Sequence, residues 1–455
     1  MTVAGTPPPW QHPCPPDPWR SQLTPQLRTA ATKVAIDVTA RLRSPDRIAR
    51  AAAAAMAQTA FPQSGCWVPY GLADGDAGLA VMSGQLDRSF PGEDWDITGH
   101  QQLTVAARAI EQSGCSNPGL FAGWSGLAFA ALGLSRSGTR YRRLRALLDS
   151  VLLPKIDMLV ADSLARRSGM SVGTFDLISG LTGVGAYLLA RDGPNGEFDA
   201  LATVIRALLT ITGGEEALPR WYTPPDLVGD PAQLHLQPYG SLNCGLAHGI
   251  PGPLSLMALA ISAGLTLPRL DERVRQLGDW LIGHQVRGKW GITWPSMIPL
   301  DSQGRTPSAL PSRTAWCYGA PGVARSLWLA GTALGDDRFC HTAVEAMKVV
   351  YRTPRAEQGI DSPTLCHGTA GLLQITLRFA HDTRDQVFAE AAQHLVERIL
   401  SANEPDTIVA LRDVEPDGRK VDRAGLLTGA GGVALALLAA ATDVEPIWDR
   451  AFLLA

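Results

Sequence analysis

The chain has 455 residues, of which 45% are hydrophobic, and a formal net charge of −3. This composition provides for a large core, and the weak acidity argues against a nucleic-acid or polybasic membrane surface. Apolar runs such as residues 433–441 are too short to span a bilayer, and the N-terminus lacks the basic flank and apolar stretch of a secretory signal. We therefore expect a cytoplasmic protein without an integral membrane segment.

The N-terminal segment differs in composition from the rest of the chain. Residues 1–20 contain seven prolines, which favours extended chain with little packing. We predict a flexible tail over residues 1–20 and a single folded domain over residues 21–455. Segments rich in Ala, Leu and Arg indicate helices, among them residues 46–61, 141–167 and 386–403. The clearest strand signal is a short hairpin within residues 288–298.

An internal repeat organises the helical part. A Gly-x-x-Gly turn followed by apolar or small residues occurs seven times, beginning at Gly75, Gly123, Gly180, Gly249, Gly319, Gly368 and Gly429. Such a turn allows close approach of the backbone, so the small-residue helix after it fits a crowded inner layer, while a more polar helix before it forms an outer layer. We predict an all-α (α/α)7 toroid of about fourteen helices, with short β-hairpin excursions.

Three of the seven turns carry reactive side chains just before their first glycine. His248 precedes Gly249, Cys317 and Tyr318 precede Gly319, and Cys366 and His367 precede Gly368. If all seven turns lie at one end of one barrel, these side chains converge there.

The two cysteines and the histidine of the fifth and sixth turns form a candidate metal set. Cys317, Cys366 and His367 provide two thiolates and an imidazole, which suit Zn²⁺, and a catalytic zinc keeps three protein ligands and one open position. The adjacent Cys-His pair would diverge inside a helix but can chelate from a turn. The alternative ligand pair Cys244 and His248 lacks obvious partners, so we expect Cys244 to be a buried thiol.

The motifs LNCGLAHGIPGPL, WCYGAPG and LCHGTAG, in this order on seven glycine repeats, resemble those of the lanthionine synthetase C-like cyclases. The resemblance covers roughly residues 30–455 and implies an α,α-toroid with one zinc held by Cys317, Cys366 and His367. It implies Michael-type addition of peptide cysteine thiols to dehydroalanine or dehydrobutyrine, giving lanthionine or methyllanthionine. The length suits a stand-alone cyclase.

The resemblance also implies partners and further site residues. The partners are a dehydrated precursor peptide with its leader, a dehydratase and a transporter, in a membrane-associated synthetase complex. The family's remaining active-site residues correspond here to Asp176, His248, Arg313 and Tyr318. His248 is the expected proton donor because imidazole titrates near neutral pH, and Asp176 would orient it. Arg313 and Tyr318 would stabilise the enolate or support the site's wall.

Two other functions remain open at this point. A non-catalytic family member that binds a peptide or glutathione through zinc would keep the same ligands. A prenyltransferase-like enzyme is also a helical toroid that activates a peptide thiol with zinc. An aspartate in the metal set and an aromatic-rich pocket are expected for that class, whereas this chain has 6% aromatic residues and a Cys-His pair.

Overall fold

The structure is a computed structural model that describes residues 18–62, 66–166, 169–193, 198–213, 218–229, 234–306 and 309–455. Residues 1–17 of the predicted tail lie outside this set. The helices are α1 Pro25–Arg41, α2 Pro45–Gln58, α3 Asp76–Ser89, α4 Trp95–Ser113, α5 Trp124–Gly133, α6 Arg142–Ala165, α7 Val172–Phe175, α8 Leu181–Asp192, α9 Asp199–Ile211, α10 Pro251–Ser262, α11 Leu270–Gly283, α12 Ala320–Leu334, α13 Asp337–Arg352, α14 Thr369–Thr383, α15 Gln386–Ser401 and α16 Ala430–Ala441.

Two concentric layers of helices form a closed ring, which confirms the predicted toroid. The inner helices pack in the order α3, α5, α8, α10, α12, α14 and α16, and α16 returns to α3. Each inner helix starts at or just after one of the seven glycine turns. The outer helices α4, α6, α9, α11, α13 and α15 pack mainly on the inner helix that precedes them, not on the one that follows as the sequence had suggested. The N-terminal α1 completes the outer layer by packing on α16.

The second glycine of every turn has the same steric role. A Cβ atom there would lie between 1.9 and 3.0 Å from the carbonyl oxygen six residues earlier, at Gly78, Gly126, Gly183, Gly252, Gly322, Gly371 and Gly432. Six of these glycines also contact a side chain of the preceding turn, from the residue six positions before that turn's own second glycine. Gly126 contacts Leu72 in this way, and Gly78 contacts Leu426 where the ring closes. Only glycine permits this approach, which explains the periodic pattern in the sequence.

The strands are short excursions from the helical layers. They are β1 Ser241–Asn243, β2 Val286–Gly288, β3 Gly291–Thr293, β4 Met297–Pro299, β5 Asp413–Val414 and β6 Lys420–Val421. The antiparallel pairs are β1 with β4, β2 with β3, and β5 with β6. The predicted hairpin therefore exists as β2–β3, but its first strand begins at Val286, before the expected segment.

Both ends of the described chain pack on the barrel. Trp19, within the predicted tail, is only 5% exposed, and its indole N–H donates to the carbonyl of Ala439 at 2.9 Å. At the C-terminus, a 3₁₀ helix over Ile447–Phe452 packs against α3, α5 and α8. There Trp316 donates its indole N–H to the carbonyl of Phe452 at 3.1 Å. The C-terminal segment thus fills the inside of the ring.

Candidate active site

The seven glycine turns are joined edge to edge by backbone hydrogen bonds. The residue two positions before the first glycine lies on a ring that we call the rim, formed by Ala73, Phe121, Ile178, Ala247, Cys317, Cys366 and Leu427. Each rim residue, or its immediate neighbour, donates its N–H to the carbonyl of the next rim residue, over distances of 2.8 to 3.4 Å. The circle closes where Leu427 donates to Ala73. Equivalent positions of different repeats are therefore neighbours in space.

The rim explains why the two candidate cysteine ligands meet. Cys317 and Cys366 occupy the same position in consecutive turns, and the N–H of Cys317 donates to the carbonyl of Cys366 at 3.3 Å. Gly319 has a φ of 95°, a conformation that glycine tolerates and that turns the chain sharply after Cys317. The two side chains are close enough for each thiol to alter the acidity of the other. The fold therefore places Cys317 and Cys366 next to each other on the rim.

The two thiols differ in acidity. A hydrogen bond from Cys366 lowers the pKa of Cys317 despite burial, with further help from the positive charges of Arg313 and His248. The same hydrogen bond, together with burial, raises the pKa of Cys366. Of the two, Cys317 is therefore the more readily deprotonated, and a thiolate is the form that binds a metal.

His367 lies beside this pair and faces an acidic neighbour. Its Nε2 atom is 3.9 Å from Asp413, which accepts a hydrogen bond from Ser362 and pairs with Arg423. Burial lowers the pKa of His367, which keeps the ring neutral, as a metal ligand must be. In the part of the chain that the structure describes, no three His, Cys, Asp or Glu side chains already form a group that could hold a metal. A three-ligand site would therefore require side-chain rearrangement.

His248 and Asp176 form a tight pair on neighbouring turns. The Nδ1 atom of His248 is 2.6 Å from Oδ2 of Asp176, while Oδ1 accepts the backbone N–H groups of Ser179 and Gly180. Asp176 thus fixes its own turn and orients the imidazole. Burial disfavours the imidazolium, but the hydrogen bond and negative charge of Asp176 outweigh it and raise the pKa of His248. The raised pKa favours the protonated imidazolium, which is the form that can donate a proton.

Tyr318 joins the histidine to the thiols. Its ring stacks on that of His248 with centroids 6.3 Å apart, and its hydroxyl accepts the amide N–H of Asn243 at 3.2 Å. Burial raises the pKa of Tyr318 to about 12, with a smaller contribution from the charge of Cys317, so its O–H remains a donor. Arg313 is exposed, and its positive charge acts on both thiols.

Two site residues were missed by sequence reasoning. Asn243 holds the Tyr318 hydroxyl and accepts the N–H of Gly245 at 3.0 Å through its side-chain oxygen. Asp74 occupies in the first turn the place that His248 and His367 occupy in theirs, and it is held by Thr428 at 2.9 Å. Burial raises the pKa of Asp74. Aligning the seven turns by their first glycine would have identified Asp74, whereas Asn243 required the tertiary contact.

A cavity of about 260 Å³ opens beside the histidine and tyrosine. Its wall is formed by polar groups of Asn243 and Ser241 and by apolar side chains such as Val172 and Met297. This space is suited to a peptide side chain next to the reacting atoms. Cys244 does not face it, because it is completely buried and burial raises its pKa to about 12. The expectation that Cys244 is a buried thiol agrees with this geometry.

The fold and this rim define the class of the protein as an α,α-toroid with a cysteine and histidine site on its glycine turns. The family model described as lanthionine synthetase C-like protein matches residues 66–453. The chain therefore belongs to the lanthionine synthetase C-like family, as the sequence motifs predicted.

Two known proteins show the similarity in detail. The nisin biosynthesis protein NisC of Lactococcus lactis subsp. lactis is 25% identical over 314 residues, which cover 68% of this chain and 73% of that protein. A solved structure of nisin cyclase has a TM-score of 0.73 at 22% identity and covers 85% of this chain and 92% of that chain. The structural match confirms the toroidal fold. Among the described residues, no helix is both long and apolar enough to cross a membrane.

Proposed function

We propose that this protein is a zinc-dependent lanthipeptide cyclase, which adds cysteine thiols of a dehydrated precursor peptide to dehydroalanine or dehydrobutyrine. The observation that carries the proposal is the juxtaposition of the Cys317–Cys366 thiol pair with the His248–Asp176 pair on one rim. The family membership and the likeness to NisC support this function. They also favour a cyclase over a prenyltransferase-like enzyme.

The donor set fits zinc in its chemistry. Cys317, Cys366 and His367 would hold the metal, because one thiol loses its proton readily and the imidazole is neutral. When bound, the zinc supplies a Lewis acid that favours the thiolate form of the substrate cysteine.

The side chains of the rim account for the remaining chemistry. The substrate sulfur forms a bond to the β-carbon, and the π electrons of the dehydro residue move to an enolate. His248, protonated and held by Asp176, then donates its proton to the α-carbon, and the proton released by the substrate thiol restores the imidazolium. The positive charge of Arg313 and the O–H donor of Tyr318 stabilise the transient negative charge of the enolate.

The direct test is a thiol count on a defined substrate. A synthetic peptide with one dehydroalanine and one cysteine is incubated with the purified protein, and free thiols are titrated over time, since cyclisation leaves the mass unchanged. We expect thiol loss faster than in the absence of protein. An unchanged rate with several peptide spacings would favour the non-catalytic zinc-binding alternative. A leader-bearing precursor, a dehydratase and a transporter are the proposed partners.

A further inference from the structure

The end of the ring opposite the rim contains a second, larger cavity, which we call the distal cavity. It measures about 1080 Å³ and is lined by the C-terminal parts of α3, α5 and α8, by the turn after α5 and by the C-terminal segment. The inner helix α3 has 14 residues and is therefore about 20 Å long. The distal cavity is thus well separated from the cysteines and His248, and the proposed cyclisation does not use it.

The charges around the distal cavity fall into two groups. Arg136 is satisfied, because it binds Asp87 through two hydrogen bonds of 2.6 and 2.8 Å, and Arg191 pairs with Asp192 at 2.6 Å. Arg88, Arg145 and Arg450 also line the cavity, but no carboxylate of the described residues lies within ion-pairing distance of them. The lining includes three further acids: Asp94 is exposed, Asp96 pairs with Arg140 at 2.8 Å, and Glu445 lies 3.6 Å from Arg378.

The buried side-chain groups of this cavity that lack a hydrogen-bond partner are all donors. Nε of Arg88, Nε of Arg145 and the indole Nε1 of Trp448 are all buried, and each lacks an acceptor. All three atoms are donors, and no buried side-chain acceptor of the described lining residues is left without a donor. A buried donor without an acceptor carries a free-energy cost. A ligand that supplies several acceptors would remove this cost.

The electrostatic environment of Arg88 also bears on which ligand the cavity could hold. Burial lowers the pKa of Arg88 to about 10; the negative charge of Glu445 offsets part of this shift, and the positive charge of Arg450 adds to it. Arginine in the last turn of a helix is favoured by the helix dipole, which accounts for a positive charge at Arg88 and Arg191. The helix dipole does not explain why their partners differ: Arg191 has carboxylates within ion-pairing distance, whereas the hydrogen-bond partner of Arg88 among the described residues is the side chain of Gln85.

We propose that the distal cavity binds a small organic anion, either a phosphate ester or a polycarboxylate, through Arg88, Arg145, Arg450 and the indole N–H of Trp448. Planar guanidinium groups match the oxygen geometry of both anions. The volume accommodates a ligand of nucleotide size, and Phe129 and Trp448 provide an apolar wall for its uncharged part. The proposal concerns a second site and does not depend on the cyclase activity.

The test is isothermal titration calorimetry of the full chain at physiological salt, with inorganic pyrophosphate and citrate as the two probes. We expect one-to-one binding of at least one probe to the wild type. Pyrophosphate alone would identify a phosphate ester, and citrate alone a polycarboxylate. Arg88→Gln and Arg450→Gln should each weaken binding at least about tenfold, because each removes charged hydrogen bonds.

Arg143→Gln is the matched control, since Arg143 lies on α6 two residues from Arg145 but is exposed and outside the cavity. It should bind like the wild type. Circular dichroism verifies folding, and Arg145→Gln replaces either variant that does not fold. The proposal is overturned if neither probe binds the wild type at millimolar concentration, or if folded Arg88→Gln and Arg450→Gln bind as tightly as Arg143→Gln.

Discussion

The two ends of the inner helices belong to the same seven repeats but carry different types of side chain. At the rim, backbone hydrogen bonds connect all turns, and the side chains there are thiols, imidazoles and carboxylates. At the distal cavity, the described residues show no such circle of backbone hydrogen bonds, and the lining contains five arginines and four acidic residues. The contrast shows that the repeat fixes the backbone at the rim and leaves side chains free to specialise, while the distal end is shaped by the loops and the C-terminal segment.

The largest expected effect comes from removing a thiol at the rim. Cys317→Ala and Cys366→Ala should each abolish stoichiometric zinc and ring closure, because two ligands rarely hold a catalytic metal. Zinc is measured by atomic emission on purified protein. Cys340→Ala, a buried cysteine of α13 away from the rim, should keep one equivalent. Full zinc retention in either rim variant would refute the ligand assignment.

Removing the proton donor should separate catalysis from metal binding. His248→Ala should keep zinc but slow ring closure by about 10²- to 10⁴-fold, the usual contribution of a general acid. The thiol assay measures the rate, and the exposed His394 of α15 provides the control variant His394→Ala. Loss of zinc from His248→Ala would instead make His248 a ligand.

The free energy of unfolding should respond differently to substitution of a turn glycine, Gly371, and of a glycine at the distal end of an inner helix, Gly133. In Gly371→Ala the new Cβ would lie 2.0 Å from the carbonyl of Leu365, so we expect a loss of about 3 kcal/mol in the free energy of unfolding. At Gly133, at the distal end of α5, a Cβ atom would meet nothing within 4 Å. Gly133→Ala should be neutral or stabilising by up to about 1 kcal/mol. Urea titration compares them, and equal effects would contradict the close-packing role of the repeat.

The pH dependence of ring closure reports on Asp176. Its carboxylate raises the pKa of His248, so the protonated donor persists to higher pH than for an ordinary histidine, and activity should fall only above that raised pKa. Asp176→Asn keeps a hydrogen-bonding oxygen but removes the charge. The pKa of His248 should then fall, and the alkaline limb of the rate profile should move to lower pH. An unmoved limb would limit Asp176 to supporting its turn through Ser179 and Gly180.

The smallest expected effect concerns the indole at the distal cavity. Trp448→Phe keeps the aromatic ring but removes one uncharged donor, so anion binding should weaken by about three- to tenfold, less than for the arginine variants. Calorimetry with the better of the two probes measures this. Binding equal to that of the wild type would remove Trp448 from the proposed site, and the arginine variants would then test the rest.

Much of the rim could be predicted from the sequence because its physical cause is local. The second glycine of each turn lies against the carbonyl six residues before it. Glycine is therefore required at the same position of every repeat, and this requirement is visible as a pattern in the sequence. Once the turns are aligned, Cys317 and Cys366 share one position and His248, Tyr318 and His367 the next. Their convergence follows from ring closure alone.

Other features depended on contacts between residues that are distant in the chain. The support of Tyr318 by Asn243 and the placement of Asp413 beside His367 arise from strands and loops that no repeat specifies. The packing of α1 on α16, which closes the outer layer, joins the two ends of the chain. The distal cavity likewise exists only because the C-terminal segment folds back under α3, α5 and α8. Sequence periodicity encodes interactions that recur in every repeat, whereas these unique contacts are decided by tertiary packing.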